Sequence, residues 1–272
     1  WNVFHDQKGE LLVATGGSFY PNSDTAEAYA IVTYKGVQRS VRAFRRIGFD
    51  RENIGVGPIQ PKIVSGLRQW KHQLLENDFG ISFDLDWFDT HRQVYRSAYG
   101  SLTKGNPPGG QRHVTAGFES FGEVSGWVRF GDQLIELSKL EGRGTRDRHW
   151  GIGRGVGGSR YQADGSQPKA GWIGGNWKFD RRLRFEEDTH IFVEGEIDYT
   201  LDSGEVKTVK FKRLGSQTAY MKCGLYGGTP DGKIFQGDAV GDNVVHGDEY
   251  DLSNPEIRKY LSALNEHHCE IS

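Results

Sequence analysis

Only two cysteines, Cys223 and Cys269, occur among the 272 residues. Two thiols make no disulfide framework, and a reducing, cytoplasmic setting is the default expectation. No run of about 18 apolar residues is present, so no membrane-spanning helix is expected. The chain starts at Trp1 rather than Met, and removal of a leader or tag is left open. A net charge of −2 offers nothing in the overall balance that would attract nucleic acid by itself. The small cluster of Arg42, Arg45 and Arg46 reads as the solvated face of a strand. His-Glu-x-x-His is missing, and His267-His-Cys269 offers three donors without the spacing of a closed metal site. Gly-x-Ser-x-Gly is missing too, which argues against an α/β-hydrolase. Gly151-Ile-Gly-Arg-Gly-Val-Gly157 follows a candidate strand, but no amphipathic helix opens after it, so a dinucleotide fold is not expected. The expectation is a protein with no metal, no organic cofactor and no nucleic-acid partner. Its oligomeric state is left open, a homo-oligomer included.

Helical signal is scarce, and alternation dominates. Ile81, Phe83, Leu85 and Trp87 share one face of a candidate strand whose other face carries Ser82, Asp84 and Asp86. Thr25–Tyr34 and Val37–Phe44 flank Lys35-Gly36 as a hairpin. Further strands are expected over Gly126–Phe130, His190–Tyr199 and Val206–Lys212, with Asp202-Ser203-Gly204 as a turn. Residues 63–74 fit either a helical stripe or alternation, and strand is favoured by the β signal on both sides. One helix is expected near residues 254–264, from the capping-box spacing of Ser253 and Glu256 with Pro255 in the first turn. Aliphatic content is modest, so seven Trp, eleven Tyr and fifteen Phe must supply much of the apolar volume, as core or as cavity wall. Many short strands without a short repeat leave a sandwich or one or two barrels. Lys104–Gln111 reads as a loop, and the glycine-rich stretch after Gly151 is the favoured place for a division of the chain.

Glu141–Arg154 concentrates chemistry: Arg143, Arg146, Asp147, Arg148, His149, Trp150 and Arg154. On a strand, Asp147 and His149 point one way, and Arg146, Arg148 and Trp150 the other. Two readings stand together. One is an Arg–Asp network locking a barrel corner, since such charge is costly to bury unless it is paired. The other is a proton-transfer site.

The string Gly144-Thr-Arg-Asp-Arg-His-Trp-Gly151 resembles the Asp-His-x-Trp-Gly signature of tandem lipocalin-like (calycin) proteins. That group includes carotenoid 1,2-hydratases (hydroxyneurosporene synthases) and lipocalin-type Diels–Alderases. Ser18-Phe-Tyr-Pro-Asn22, Glu27-Ala-Tyr-Ala30, Val56-Gly-Pro-Ile59 and Trp70 with Asn77–Asp84 are similar to a bacterial branch of the same group. The sequence departs from the signature at Arg148, where His is usual, and at His149, where a small or acidic residue is usual. The resemblance implies two lipocalin-like antiparallel barrels in tandem; with the short helix expected near the C-terminus the fold is all-β, and the glycine-rich run from Gly151 to Gly158 divides it as residues 1–160 and 161–272, the Pro107–Gly110 loop being the rival boundary. It also implies an acid at Asp147 and no organic cofactor.

The favoured function is a lyase, hydratase, isomerase or cyclase acting on an isoprenoid, polyketide-like or aromatic small molecule. Asp147 would be the acid or base, His149 its partner or alternative base, and Arg146 or Arg154 the charge stabiliser. Trp150 would face a cationic intermediate. Trp87, His91, Tyr95, Trp127, Trp172 and Trp177 are candidate pocket walls, with ordinary packing as the plain alternative. A non-catalytic carrier of a hydrophobic ligand and a packed structural or interaction module are the alternatives.

Overall fold

The computed structural model describes residues 1–97, 114–152, 179–187, 189, 191–201, 203–222, 229, 231–262 and 265–272. The strands are β1 (Asn2–His5), β2 (Leu11–Tyr20), β3 (Thr25–Tyr34), β4 (Val37–Arg46), β5 (Lys62–Ser65), β6 (Gln69–Leu74), β7 (Ile81–Asp89) and β8 (Val94–Ser97). They continue with β9 (Val114–Phe130), β10 (Gln133–Ile152), β11 (Phe179–Phe185), β12 (Phe192–Thr200), β13 (Val206–Tyr220), β14 (Val244–Asp251) and β15 (Asn265–Ile271). The helix α1 (Pro255–Leu261) lies between the last two strands. The fold is therefore all-β with one short helix near the C-terminus, among the described residues. No helix among them is long and apolar enough to cross a membrane.

Local chemistry explains the elements. Lys35 and Gly36 both adopt positive φ (48° and 77°), the backbone that a two-residue hairpin loop requires, and β3 and β4 pair on either side of it. Residues 63–74 form strand on both sides of a turn, because their partner β7 offers an apolar face to Trp70, His72 and Leu74. The helix is capped by Asn254, not Ser253: its side-chain oxygen accepts from the Glu256 N–H at 3.0 Å.

Strands β14-β4-β3-β2-β1-β10-β9-β7-β6-β5 form one antiparallel sheet, with β8 pairing to β9, and β11-β12-β13-β15 form a second. The larger sheet curls. Its inner face gathers Phe4, Val13, Val32, Val41, Phe83, Leu85, Trp87, Val124 and Val128 into one core, although these residues come from strands far apart in the order. Tyr34 meets Phe130 edge-on, and the Arg39 guanidinium lies over Phe130 while bonding the Gly80 carbonyl. Pairing that would close the sheet on itself is not present among the described residues. The outer face carries a second core of Val3, Leu12, Tyr29 and Ile31, packed against Ala219 and Met221 at the end of β13. Because both of its faces are covered, β3 is buried over nearly its whole length.

The division expected near residue 160 lies outside the described residues. β10 belongs to the first sheet, β11 opens the second, and β14 returns to the first sheet beside β4. That return corrects the reading of the arginine cluster. Arg42 is buried and paired with Asp248 of β14, and Arg45 bonds the carbonyls of Asn53 and Gly55. Only Arg46 has the solvated character expected, with Asp24 as its partner at 2.8 Å.

Trp87 is the largest fully buried side chain among the described residues, and two glycines make its slot. Gly122 and Gly144 pair across β9 and β10. A Cβ at Gly122 would lie 2.3 Å from the Phe88 carbonyl oxygen and 2.6 Å from the Trp87 ring. One at Gly144 would lie 2.3 Å from the Val3 carbonyl oxygen. Gly122→Ala is therefore expected to cost about 1–3 kcal/mol by overpacking. Urea unfolding checks this, and an unchanged midpoint would mean that the strands part without penalty.

Candidate functional site

Two strands carry the chemistry, and pairing decides which residues meet. Across β9 and β10, Arg146 faces Ser120, Asp147 faces Glu119, and Thr145 faces Phe121. Alternation sends Arg146 and Ser120 to the inner face and Asp147, Glu119 and His149 to the outer one. The three residues expected to act together are thus divided between two faces of one strand.

On the inner face Arg146 is committed to a network. Its Nη2 donates to Asp89 Oδ2 at 2.9 Å, and its Nε to Ser120 Oγ at 3.0 Å. The two side chains are 5% and 0% exposed. The guanidinium lies 5.2 Å from the Trp70 ring, 5.9 Å from Trp87 and 5.2 Å from Phe118. Its carboxylate partner is Asp89 at the end of β7, not Asp147. Removing this charge from water is compensated by paired donors and by the faces of three rings.

On the outer face, where the first sheet meets β15, there is an open cleft of about 320 Å³. Trp1, Glu119, Phe121, Thr145, Asp147 and Glu266 line it, with Ser120 and Arg146 completing the wall. His149 Nδ1 lies 3.4 Å from Asp147 Oδ2. Burial, with the negative charge of Asp147 added, pushes the Glu266 carboxyl up to about 7, while a hydrogen bond from Trp1 pulls the other way. At neutral pH Glu266 thus holds its proton much of the time beside other carboxyl groups. That is the arrangement in which one carboxyl group serves as acid and another as base. Glu119, Asp147 and His149 bring one ligand atom each within 4.8 Å of one another, so they are the residues among those described that could share a cation.

The other expected residues fall in several places. Trp87 is buried on the inner face. Tyr95 and Trp150 are exposed at the end of that face, each edge-on to Phe118. Trp127 is half-buried on the outer face, opposite Asp84 and away from the cleft. His91 is exposed beyond β7, beside the Thr90 hydroxyl. Arg154, Trp172 and Trp177 lie outside the described residues. Asp89, Glu266 and Trp1 were not singled out from sequence. Asp89 had left a signal: it continues the apolar face of Ile81, Phe83, Leu85 and Trp87, and an acid at that parity calls for a buried cation. Glu266 left none, because only the pairing of β15 with β13 brings it near β10.

A model of the family of unknown function DUF8625 matches residues 1–198. No curated protein matches the sequence. Among solved structures, kievitone hydratase from Nectria haematococca is similar at 9% identity, with 79% of this chain and 69% of that chain covered and a TM-score of 0.29. At that score the likeness carries no argument about fold or activity.

Proposed function

The chain belongs to the family of unknown function DUF8625, and from there we propose that it is an acid–base enzyme of the lyase, hydratase, isomerase or cyclase type. Its substrate would be a hydrophobic isoprenoid, polyketide-like or aromatic small molecule bound in the cleft between the sheets, with no organic cofactor required. The observation that carries this reading is the meeting of Glu266 with Asp147 and Glu119 in one cleft walled by Trp1 and Phe121, with His149 beside Asp147.

Glu266, whose carboxyl is raised to about 7 and so is protonated in about half of the molecules at pH 7, is the general acid, and delivers its proton to a double bond or a departing hydroxyl. Asp147 is the general base, and takes a proton from the neighbouring carbon or from an attacking water. His149 steadies the Asp147 carboxylate. One proton enters the substrate and one leaves, so the exchange balances, and the open cleft returns both groups to their starting states through solvent. A correctly placed acid–base pair contributes roughly 10²–10⁴-fold to rate. Trp1 and Phe121 hold apolar parts of the substrate and offer ring faces to developing positive charge.

The test is a panel of unsaturated alcohols, phenols and enones, incubated in deuterated water without added cofactor and read by mass spectrometry. Expected is gain or loss of one water, or an isomer carrying solvent deuterium. Glu266→Gln removes the proton at constant shape and should cut turnover by roughly 10²-fold or more with little change in melting temperature. Wild-type turnover should fall as pH rises above about 7, where Glu266 ionises. Unchanged turnover in folded Glu266→Gln would end the assignment. Compounds bound and returned unaltered would favour the carrier.

A further inference from the structure

We propose a second binding site, on the opposite face of β10, for a planar aromatic molecule carrying an oxygen acceptor such as a carbonyl or phenol. It uses none of Glu266, Asp147, Glu119 and His149, and stands on polar atoms that the inner core leaves unanswered. Trp70 Nε1, Trp87 Nε1 and His72 Nε2 are all buried, and none has a hydrogen-bond partner among the described residues. Trp87 and His72 are themselves buried side chains. Buried polar groups are nearly always satisfied, so three orphans in one place ask for an occupant.

They are in one place. Trp70 and Trp87 pair across β6 and β7, so their indoles stand on the same face. The Trp70 and His72 rings stack with centroids 6.1 Å apart and planes 12° from parallel. Phe4 lies against both His72 and Trp87, at 5.2 Å and 5.6 Å. Arg146 closes the group, and its hydrogen bonds already go to Asp89 and Ser120.

The chemistry of the occupant follows from the donors. An indole N–H only donates, so two of the three orphans require an acceptor. The nearby guanidinium favours an oxygen with partial negative charge, and its positive charge with burial keeps His72 neutral. Phe4 and Phe118 add ring faces to the two indoles, and Leu85 and Val124 are the strand partners of His72 and Trp87, so the surroundings suit a flat, apolar body. A way in is marked by rings that grow more exposed along the same face. Phe118 touches the Arg146 guanidinium, and Trp150 (48% exposed) and Tyr95 (61% exposed) stand over Phe118 at the open end. Exposed aromatics leading to buried, unanswered donors make a recognition lane in which rings stack and the deep oxygen is bonded.

The experiment is a titration of isotope-labelled protein with β-naphthol, and with naphthalene as the control that lacks the oxygen. Expected is saturable binding of β-naphthol that shifts the indole N–H resonances of Trp70 and Trp87 downfield, each assigned through its Trp→Phe variant. Naphthalene should bind at least roughly tenfold more weakly. Trp150→Ala, at an exposed position where folding is not at stake, should weaken β-naphthol by a similar factor. Glu266→Gln should leave it unchanged, so failure here and failure of the outer cleft read out separately. Resonances that stay in place, or Trp150→Ala binding β-naphthol as tightly as wild type, would overturn the site. Either result would assign the three atoms to ordered water.

Discussion

Asp89→Ala should be the most damaging single substitution in the first sheet, at about 3–5 kcal/mol, because it leaves the Arg146 charge buried without its partner. For a chain of this size that lowers the melting temperature by roughly 10 °C. Arg146→Met should cost a similar amount, by stranding the Asp89 carboxylate at a position with no exposed surface. The double change Asp89→Leu with Arg146→Met should return to within about 1–2 kcal/mol of wild type. The surroundings of the pair, Trp70, Trp87 and Phe118, accept apolar atoms as readily as a cation. Urea unfolding of wild type, Asp89→Leu, Arg146→Met and the double variant gives the coupling energy. Additive losses would show that the two side chains do not depend on one another.

Part of this architecture was legible before any coordinates. The Ile81–Trp87 alternation, the Lys35-Gly36 turn and the terminal helix are local signals, and each element formed where its residues put it. The parity of Asp147 and His149 against Arg146 was equally local, since it needs only a strand. Partners were not legible. Arg42 reads as solvated until β14, some two hundred residues on, pairs over it. Glu266 reads as a tail residue beside two histidines until β15 pairs with β13 and turns it toward Asp147. Strand periodicity fixes which way a side chain points, while long-range pairing fixes what it meets. For that reason the candidate acid was the residue missed, although the candidate base lay in the segment that stood out.

Acid should destabilise the protein through its histidines, with two buried glutamates opposing. Burial first, and neighbouring positive charge second, hold His5 at about 4 and His72 at about 3, and the same causes put His267 at about 4. Each folded value lies below the unfolded one, so between pH 6.5 and about 4 the unfolded chain binds a proton that the native state refuses. Each such group costs about 1.4 kcal/mol per pH unit as pH falls. Glu27 and Glu266 are both raised to about 7, chiefly by burial, and act with the opposite sign. Below pH 4.5 their contribution is fully present, and it is lost as pH rises through 7. Between pH 4.5 and 6.5 His5, His72 and His267 stand against the two glutamates, a net uptake of one proton on unfolding, and His268, lowered by burial, adds to the same side. Wild type should therefore lose at least about 3 kcal/mol over those two units. His5→Asn keeps a donor for the Asp6 carbonyl but cannot titrate, and should reduce the slope by about 1.4 kcal/mol per pH unit. Glu27→Gln can still accept the Tyr20 hydroxyl, bonded at 2.6 Å in the parent, and should steepen the slope by about 1.4 kcal/mol per pH unit. Urea unfolding at half-unit intervals of pH separates the three proteins. Parallel curves would mean that these buried groups are not the ones that answer to acid.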